Sequence, residues 1–307
     1  VTAASSPLSL ARLLAEFPSL SESLRGAERA AATSAPILIL GEPGSGRSTV
    51  ARALHGASPR AGGALVEVDP GSIPSTLFES EFFGYRAGAF TGAERASEGR
   101  VARAEGGTLV LDHVEELPLA SQPKLLRLVA ERCYAPLGGA EVEADVRFLA
   151  LGSEDLPRRV AREAFRPDLF YRLEVLAFRL PPLRERRADL LAILDHLLLD
   201  LGERFGHPGP ELAPRARAWM LEHPWPGNLR QLRNTLERAL ILADGGPVDP
   251  PPPEGLLEGR PRPLLEVEME QIRNALAYTR GHQGRAAELL GISRKALWEK
   301  RKRYGIP

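Results

Sequence analysis

The chain has 307 residues, 43% hydrophobic and 26% charged, and its 40 basic and 40 acidic side chains give a formal net charge of zero. That composition excludes a disordered chain and leaves room for two or three compact units, while a neutral overall field means that any pull on nucleic acid must come from a local basic surface. The single cysteine, Cys133, excludes an internal disulfide or thiolate cluster, reads as a small apolar filler, and fits a reducing cytoplasm; no run of about 18 apolar residues is there to span a membrane.

Residues 1–17 read as a short N-terminal extension without the basic start and unbroken apolar core of a signal peptide. Apolar runs at 37–40, 65–68, 109–111, 146–150 and 175–180 alternate with helical stretches, so residues 18–182 predict an α/β core with a parallel sheet and crossover helices. Between the first run and a helical stretch lies Gly41-Glu42-Pro43-Gly44-Ser45-Gly46-Arg47-Ser48, followed by Thr49. In this strand-loop-helix context backbone amides wrap phosphates. The usual seventh residue is Lys. Arg47 keeps the charge, but its planar fork is larger and does not occupy the same point. Ser48 supplies the hydroxyl expected on Mg²⁺.

Residues 73–83 are periodic, with Phe78, Phe82 and Phe83 on one side, and predict an amphipathic helix. From it breaks a loop, Gly88-Ala89-Phe90-Thr91-Gly92-Ala93, whose glycines leave an apolar ring and a hydroxyl free to touch a partner. Leu109-Val110-Leu111-Asp112 ends a strand with a carboxylate where a metal-bound phosphate would lie. His113 follows it, and neutral imidazole carries no negative charge to polarise water. Glu115 and Glu116 are near in sequence but need not face the same way.

From Asp189 the positions Leu190, Ile193, Leu194, Leu197, Leu198 and Leu201 recur at helical spacing, and 214–222 and 229–243 continue as helices, predicting a helical lid over 183–243. Residues 244–263 carry Gly245-Gly246 and the prolines of 250–253, and predict an extended, semi-rigid linker. Residues 264–307 predict a small all-α domain. Its stretch Arg285 to Trp298 has helix-turn-helix grammar: Ala287 where two helices cross, Gly291 in the turn, and Leu290, Ile292 and Leu297 closing a core. Ser293 caps the second helix, which brings Arg294 and Lys295 to base edges and Lys300, Arg301, Lys302 and Arg303 to phosphates; Arg285, Ser293 and Trp298 complete the candidate contact set for double-stranded DNA.

Glu81-Phe82-Phe83-Gly84 and the six residues 88–93 together resemble the GAFTGA loop of bacterial sigma-54 activators, the enhancer-binding branch of the AAA+ ATPases. The C-terminal segment resembles the Fis-type domain that ends many of them. The resemblance runs from about residue 18 onward, and 165–173, 225–230 and 181–186 resemble the family's arginine-finger segment, sensor II helix start and passage to the lid. It implies ATP and Mg²⁺ as cofactors, with Ser48 and Asp112 toward the metal, Ser153 and Arg230 toward the nucleotide, and Asp112 and His113 at the Walker B strand. It also implies Arg166 and Arg172 acting on a neighbour's nucleotide in a homo-oligomeric ring, by analogy a hexamer. Phe90 and Thr91 would then engage sigma-54 RNA polymerase holoenzyme, and 266–278 would form a dimerising helix that makes the enhancer palindromic.

Four positions depart from that family: Arg47 for Lys, Asp69 for the Asn that links the catalytic Glu to the partner loop, His113 for that Glu, and Ser153 for the sensor I Asn. Each lost electrostatic contact costs on the order of tenfold to a thousandfold in rate. The sequence therefore predicts a cytoplasmic sigma-54-dependent regulator that binds ATP and upstream DNA with impaired hydrolysis, controlled from elsewhere because only a short prelude precedes the core. Two alternatives stay open. One is a pseudo-ATPase that holds or competes for enhancers without powering promoter opening; the other is a generic AAA+ chaperone or helicase loader, which would not need residues 88–93.

Overall fold

The computed structural model describes residues 8–207, 209–243, 246–252, 264–279 and 281–306. They form two units that part between Pro251 and Pro252. The strands are β1 (Ile37–Gly41), β2 (Leu65–Val68), β3 (Gly84–Tyr85), β4 (Ser97–Glu98), β5 (Thr108–Leu111), β6 (Cys133–Tyr134), β7 (Val142–Glu143), β8 (Arg147–Gly152) and β9 (Leu176–Leu180). All five apolar runs become strands of one parallel sheet in the order β2-β5-β8-β1-β9. The central strands β1, β5 and β8 are buried at every residue, as a sheet covered on both faces requires.

The helices of the core are α1 (Leu10–Glu16), α2 (Pro18–Ser23), α3 (Ala27–Ala31), α4 (Arg47–Gly56), α5 (Ser75–Phe83), α6 (Arg100–Arg103), α7 (Gln122–Glu131), α8 (Leu156–Ala161) and α9 (Pro167–Leu173). Leu38, Leu40, Leu109 and Leu111 pack with Phe78, Phe82 and Phe83 of α5 and with Leu125, Leu128, Leu169 and Phe170 of α7 and α9. On the other face the buried Arg147 donates to Leu54 O at 3.3 Å and Ala30 O at 3.1 Å, tying α4 and α3 to the sheet. Cys133 is buried in β6, its thiol pushed up to about 11 by a hydrogen bond with Glu141 and by burial, which leaves it an unreactive filler.

The lid is built from α10 (Arg187–Phe205), α11 (Pro214–Glu222) and α12 (Asn228–Leu242). Within the expected linker, residues 246–251 are anchored on this lid: Val248 pairs with Leu212 in an isolated bridge, and Trp219 Nε1 donates to Pro250 O at 3.1 Å. Residues 244, 245 and 253–263 of that linker, residues 1–7 of the N-terminal extension, and Pro307 lie outside the described residues.

The second unit consists of α13 (Leu264–Tyr278), α14 (Gln283–Leu289) and α15 (Arg294–Tyr304) around Ile272, Leu276, Ala286, Ala287, Leu297 and Ile306. Ala287, the small residue predicted at the helix crossing, is buried, and Leu290 and Ile292 close the core at its edge. Among the described residues no helix is long and apolar enough to cross a membrane.

Candidate functional site

The loop between β1 and α4 turns at Gly44 (φ +78°) and Gly46 (φ +105°), conformations that favour glycine. No side chain caps α4, so its first amides and the positive end of its dipole are left to an anion. Arg47 is buried and folds back: Nη1 donates to Gly41 O at 3.2 Å and Nη2 lies 3.6 Å from Asp112 Oδ1. Ser48 Oγ donates to Asp112 Oδ2 at 3.3 Å. A hydroxyl and a carboxylate that converge in this way fit Mg²⁺, which takes one or two protein oxygens and completes its shell with phosphate and water. Among the described residues no larger cluster of acidic, His or Cys side chains competes as a metal site.

The lid closes directly on this loop. The Glu42 carboxylate turns to the lid, taking Arg184 Nη1 and Nη2 at 3.0 and 2.7 Å and Asn228 Nδ2 at 3.0 Å; these bonds, Arg184 first, hold its pKa below the usual value. Asn228 is buried with φ +51°, and its Oδ1 accepts from Leu183 N at 2.7 Å. Leu229 N donates to Gly44 O at 3.0 Å, and a Cβ on Gly44 would sit 2.8 Å from Gly227 O. Arg230 therefore begins beside the phosphate loop. A cavity of about 340 Å³ opens next to it, lined by Leu13, Phe17, Thr49, Ile193, Leu229 and Arg233 among others. Its apolar wall comes from α1, α2 and α10, which sequence reading did not connect because those side chains lie some 180 positions apart in the chain.

At the exits of β5 and β2, residues 112, 113 and 69 come together. His113 adopts φ +50°, and its Nδ1 lies 3.2 Å from Asp69 Oδ2 and 3.8 Å from Asp112 Oδ1. The other oxygen of Asp69 accepts from Gly71 N at 3.0 Å, fixing the carboxylate at the start of a short 3-10 turn. Glu115 and Glu116 diverge. Glu115 is buried, accepts from Ser153 N at 3.1 Å and leaves its second oxygen unpaired, whereas Glu116 pairs with Arg159 on the surface at 2.9 Å. Ser153 is thus held through its backbone at the end of β8.

Arg166 and Arg172 are exposed. Arg166 pairs with Asp168 at 2.7 Å, and Arg172 donates to Ala130 O at 3.0 Å.

The 88–93 loop springs from α5 through the ribbon β3–β4. Gly88 N donates to Ala93 O at 2.8 Å and Ala93 N to Phe90 O at 3.0 Å, so buried Ala93 roots a tip whose Gly88 and Gly92 have positive φ. Phe90 is 45% exposed and leans on Tyr85 at 4.9 Å between ring centroids, and Thr91 is exposed. Sequence reading missed a second loop beside it: Arg86 N donates to Leu137 O and Leu137 N to Gly84 O, bringing the 135–141 turn under Ala89.

In the second unit Ser293 Oγ accepts from Ala296 N at 3.1 Å as the cap of α15, and Gly291 takes φ +66° in the turn. Arg285, Arg294, Lys295 and Trp298 are exposed, and Lys302 Nζ stands 5.3 Å over the Trp298 ring. Lys300 is tied back by an ion pair to Glu268, which also accepts from Tyr304 OH, and Arg301 is half-buried. The free positive charge is therefore concentrated at the start of α15 and on the Lys302 side.

Residues 13–179 match the family described as the Sigma-54 interaction domain, 184–251 the AAA+ ATPase lid domain, and 263–304 the bacterial regulatory proteins of the Fis family. The chain is 40% identical to the alginate biosynthesis transcriptional regulatory protein AlgB of Pseudomonas aeruginosa, covering 94% of this chain and 66% of AlgB. It is 37% identical to the regulatory protein AtoC of Escherichia coli, covering 96% and 68%. It spans about two thirds of the length of these relatives. The crystal structure of NtrX from Brucella abortus superposes with a TM-score of 0.71 at 32% identity, over 94% of this chain and 68% of NtrX, and NtrX in complex with ATP gives 0.69 at 33% over the same shares. The parallel-sheet core, its helical lid and the C-terminal helix-turn-helix place this chain in the family of bacterial sigma-54 interaction regulators, AAA+ proteins ending in a Fis-type domain.

Proposed function

We propose that the chain is a cytoplasmic, sigma-54-dependent transcriptional regulator that binds ATP with Mg²⁺, assembles as a homo-oligomeric ring, and hydrolyses ATP slowly. The observation that supports this most directly is the exposed Phe90–Thr91 tip on the same unit as an uncapped phosphate loop. Residues 41–49 would wrap the phosphates, Ser48 and Asp112 would hold the metal, and Ser153 and Arg230 would lie toward the γ-phosphate. The structure of NtrX with ATP supports nucleotide binding by this architecture. Bound Mg²⁺ would supply charge neutralisation between the phosphates. Arg166 and Arg172, exposed on their own protomer, would face a neighbour's nucleotide in a hexamer. The α15 cations would hold enhancer DNA, with α13 pairing two copies over a palindrome, while Phe90 and Thr91 engage sigma-54 polymerase.

Two contacts support slow turnover. Arg47 sets a guanidinium 3.6 Å from Asp112 inside the cradle, and the residue after Asp112 brings an imidazole where a carboxylate would polarise water. A second reading, a pseudo-ATPase that occupies enhancers or joins mixed rings, is favoured by the same Arg47–Asp112 contact. Promoter opening with sigma-54 polymerase and ATP tests the first reading. Opening that depends on hydrolysable ATP supports it, and enhancer occupancy without opening supports the second.

A further inference from the structure

Two of the four departures from the family pattern touch each other. Asp69 Oδ2 and His113 Nδ1 lie 3.2 Å apart, across 44 residues of sequence, at the lip of the phosphate cradle. Asp69 is fixed from its other oxygen by Gly71 N, and His113 is fixed by its left-handed backbone and by its own N–H, which donates to Asp112 Oδ1 at 2.9 Å. The same Asp112 carboxylate accepts from Ser48 of the phosphate loop, so the imidazole is one residue removed from the carboxylate that meets that loop. His113 Nε2 has no partner among the described residues, and the side chain is 31% exposed.

A carboxylate facing Nδ1 selects one tautomer. It accepts the Nδ1–H bond and leaves the lone pair on Nε2. We infer that Asp69 and His113 form a water-orienting pair, in which Asp69 sets the tautomer and His113 Nε2 accepts a hydrogen bond from the water that attacks ATP. This deepens the slow-ATPase reading above and rests on it. The water oxygen bonds to the γ-phosphorus, and the bond from that phosphorus to the β–γ bridging oxygen breaks, its electron pair leaving with ADP. One water hydrogen stays on inorganic phosphate and the other passes to solvent through a phosphate oxygen. His113 contributes orientation and gains no atom. In this arrangement Asp69 is a positioning residue and His113 is the group that meets the water.

The full chain labelled with ¹⁵N-histidine, with His113 assigned by its loss in His113→Ala, gives a readout independent of turnover. The expected spectrum has Nδ1 protonated and Nε2 bare. Asp69→Asn keeps its one amide oxygen on Gly71 N and turns an amide N–H toward His113 Nδ1, so the proton moves to Nε2; Asp69→Ala leaves Nδ1 without an acceptor and loses the tautomer. In steady-state hydrolysis His113→Ala and Asp69→Ala each lower kcat by about tenfold to a hundredfold with KM within about twofold, and the double variant is no slower than His113→Ala. A proton found on His113 Nε2 of the parent, or His113→Ala turning over ATP at the parent rate, overturns the pair and leaves the ATPase reading standing. ATP binding without any turnover by the parent overturns both.

Discussion

Asp189 is the most consequential carboxylate outside the cradle, and its removal has a calculable cost. Helix α2 begins with Pro18 and has no local cap, so the amides of Ser19 and Leu20 need an acceptor from elsewhere. Asp189, 170 residues away, takes them at 2.8 and 3.1 Å while accepting Arg186 Nε at 3.0 Å, and Arg186 Nη1 reaches Ser45 O in the phosphate loop at 3.3 Å. Both side chains are buried, Asp189 completely. Burial already pulls the Arg186 pKa down, and the Asp189 bond opposes that pull. Asp189→Ala leaves a guanidinium in the interior without a counter-charge, a loss of about 3–5 kcal/mol, and orphans two amides as well. Against the 5–15 kcal/mol typical of a domain, that is a large fraction of the total. The assay is urea unfolding followed by tryptophan fluorescence in a Trp298→Phe background, so that the buried Trp219 and Trp225 of the lid report alone. Asp189→Asn keeps an acceptor and recovers part of the loss. A shift below about 1 kcal/mol in Asp189→Ala would refute the idea that this pair joins α2, the lid and the phosphate loop.

Thr91→Ala removes an exposed hydroxyl from the loop tip, so stability and DNA binding stay at parent levels while capture of sigma-54 with a transition-state analogue is lost; capture at the parent level would contradict the assigned role. Arg47→Lys releases Asp112 from a guanidinium 3.6 Å away. Combined with Asp69→Asn and His113→Glu, it is expected to raise kcat by at least about tenfold in a phosphate-release assay, and no gain would mean that these contacts do not limit turnover. His55 is held below the ordinary histidine pKa by burial first and by the Arg147 charge second, while Nδ1 lies 2.9 Å from Thr108 Oγ1. Below about pH 6.5 the unfolded chain takes up a proton that native His55 refuses, so stability is full above that value and is lost as pH falls through it. Urea midpoints over this range should fall less steeply for His55→Gln.

The fold was legible where local pattern and global position agree. Buried strands read as unbroken apolar runs, and Gly44 and Gly46 announce a loop that must turn with positive φ. Ala287 and Gly291 mark a crossing and a turn, and all of these signals sit within a dozen residues of what they specify. What sequence could not show are contacts between distant segments. Glu42 reads as part of the phosphate loop, yet its carboxylate serves as the lid's anchor through Arg184 and Asn228. Lys300 reads as a phosphate contact, yet Glu268 holds it. The apolar wall of the cavity joins α1 to α10, and no periodicity within either helix names the other.

The same distinction changes how the departures at the cradle combine. Taken one at a time, Asp69 and His113 are two losses whose rate penalties multiply. In the proposed pair they act as a single unit, with the carboxylate at residue 69 and the hydrogen-bonding imidazole at residue 113. Residues that act as a unit are not additive, so restoring one without the other should do harm. His113→Glu alone would bring a second carboxylate against Asp69, with Asp112 already close by, and like charges at that distance repel. Only the paired exchange removes the conflict, and for that reason the turnover prediction changes both positions together.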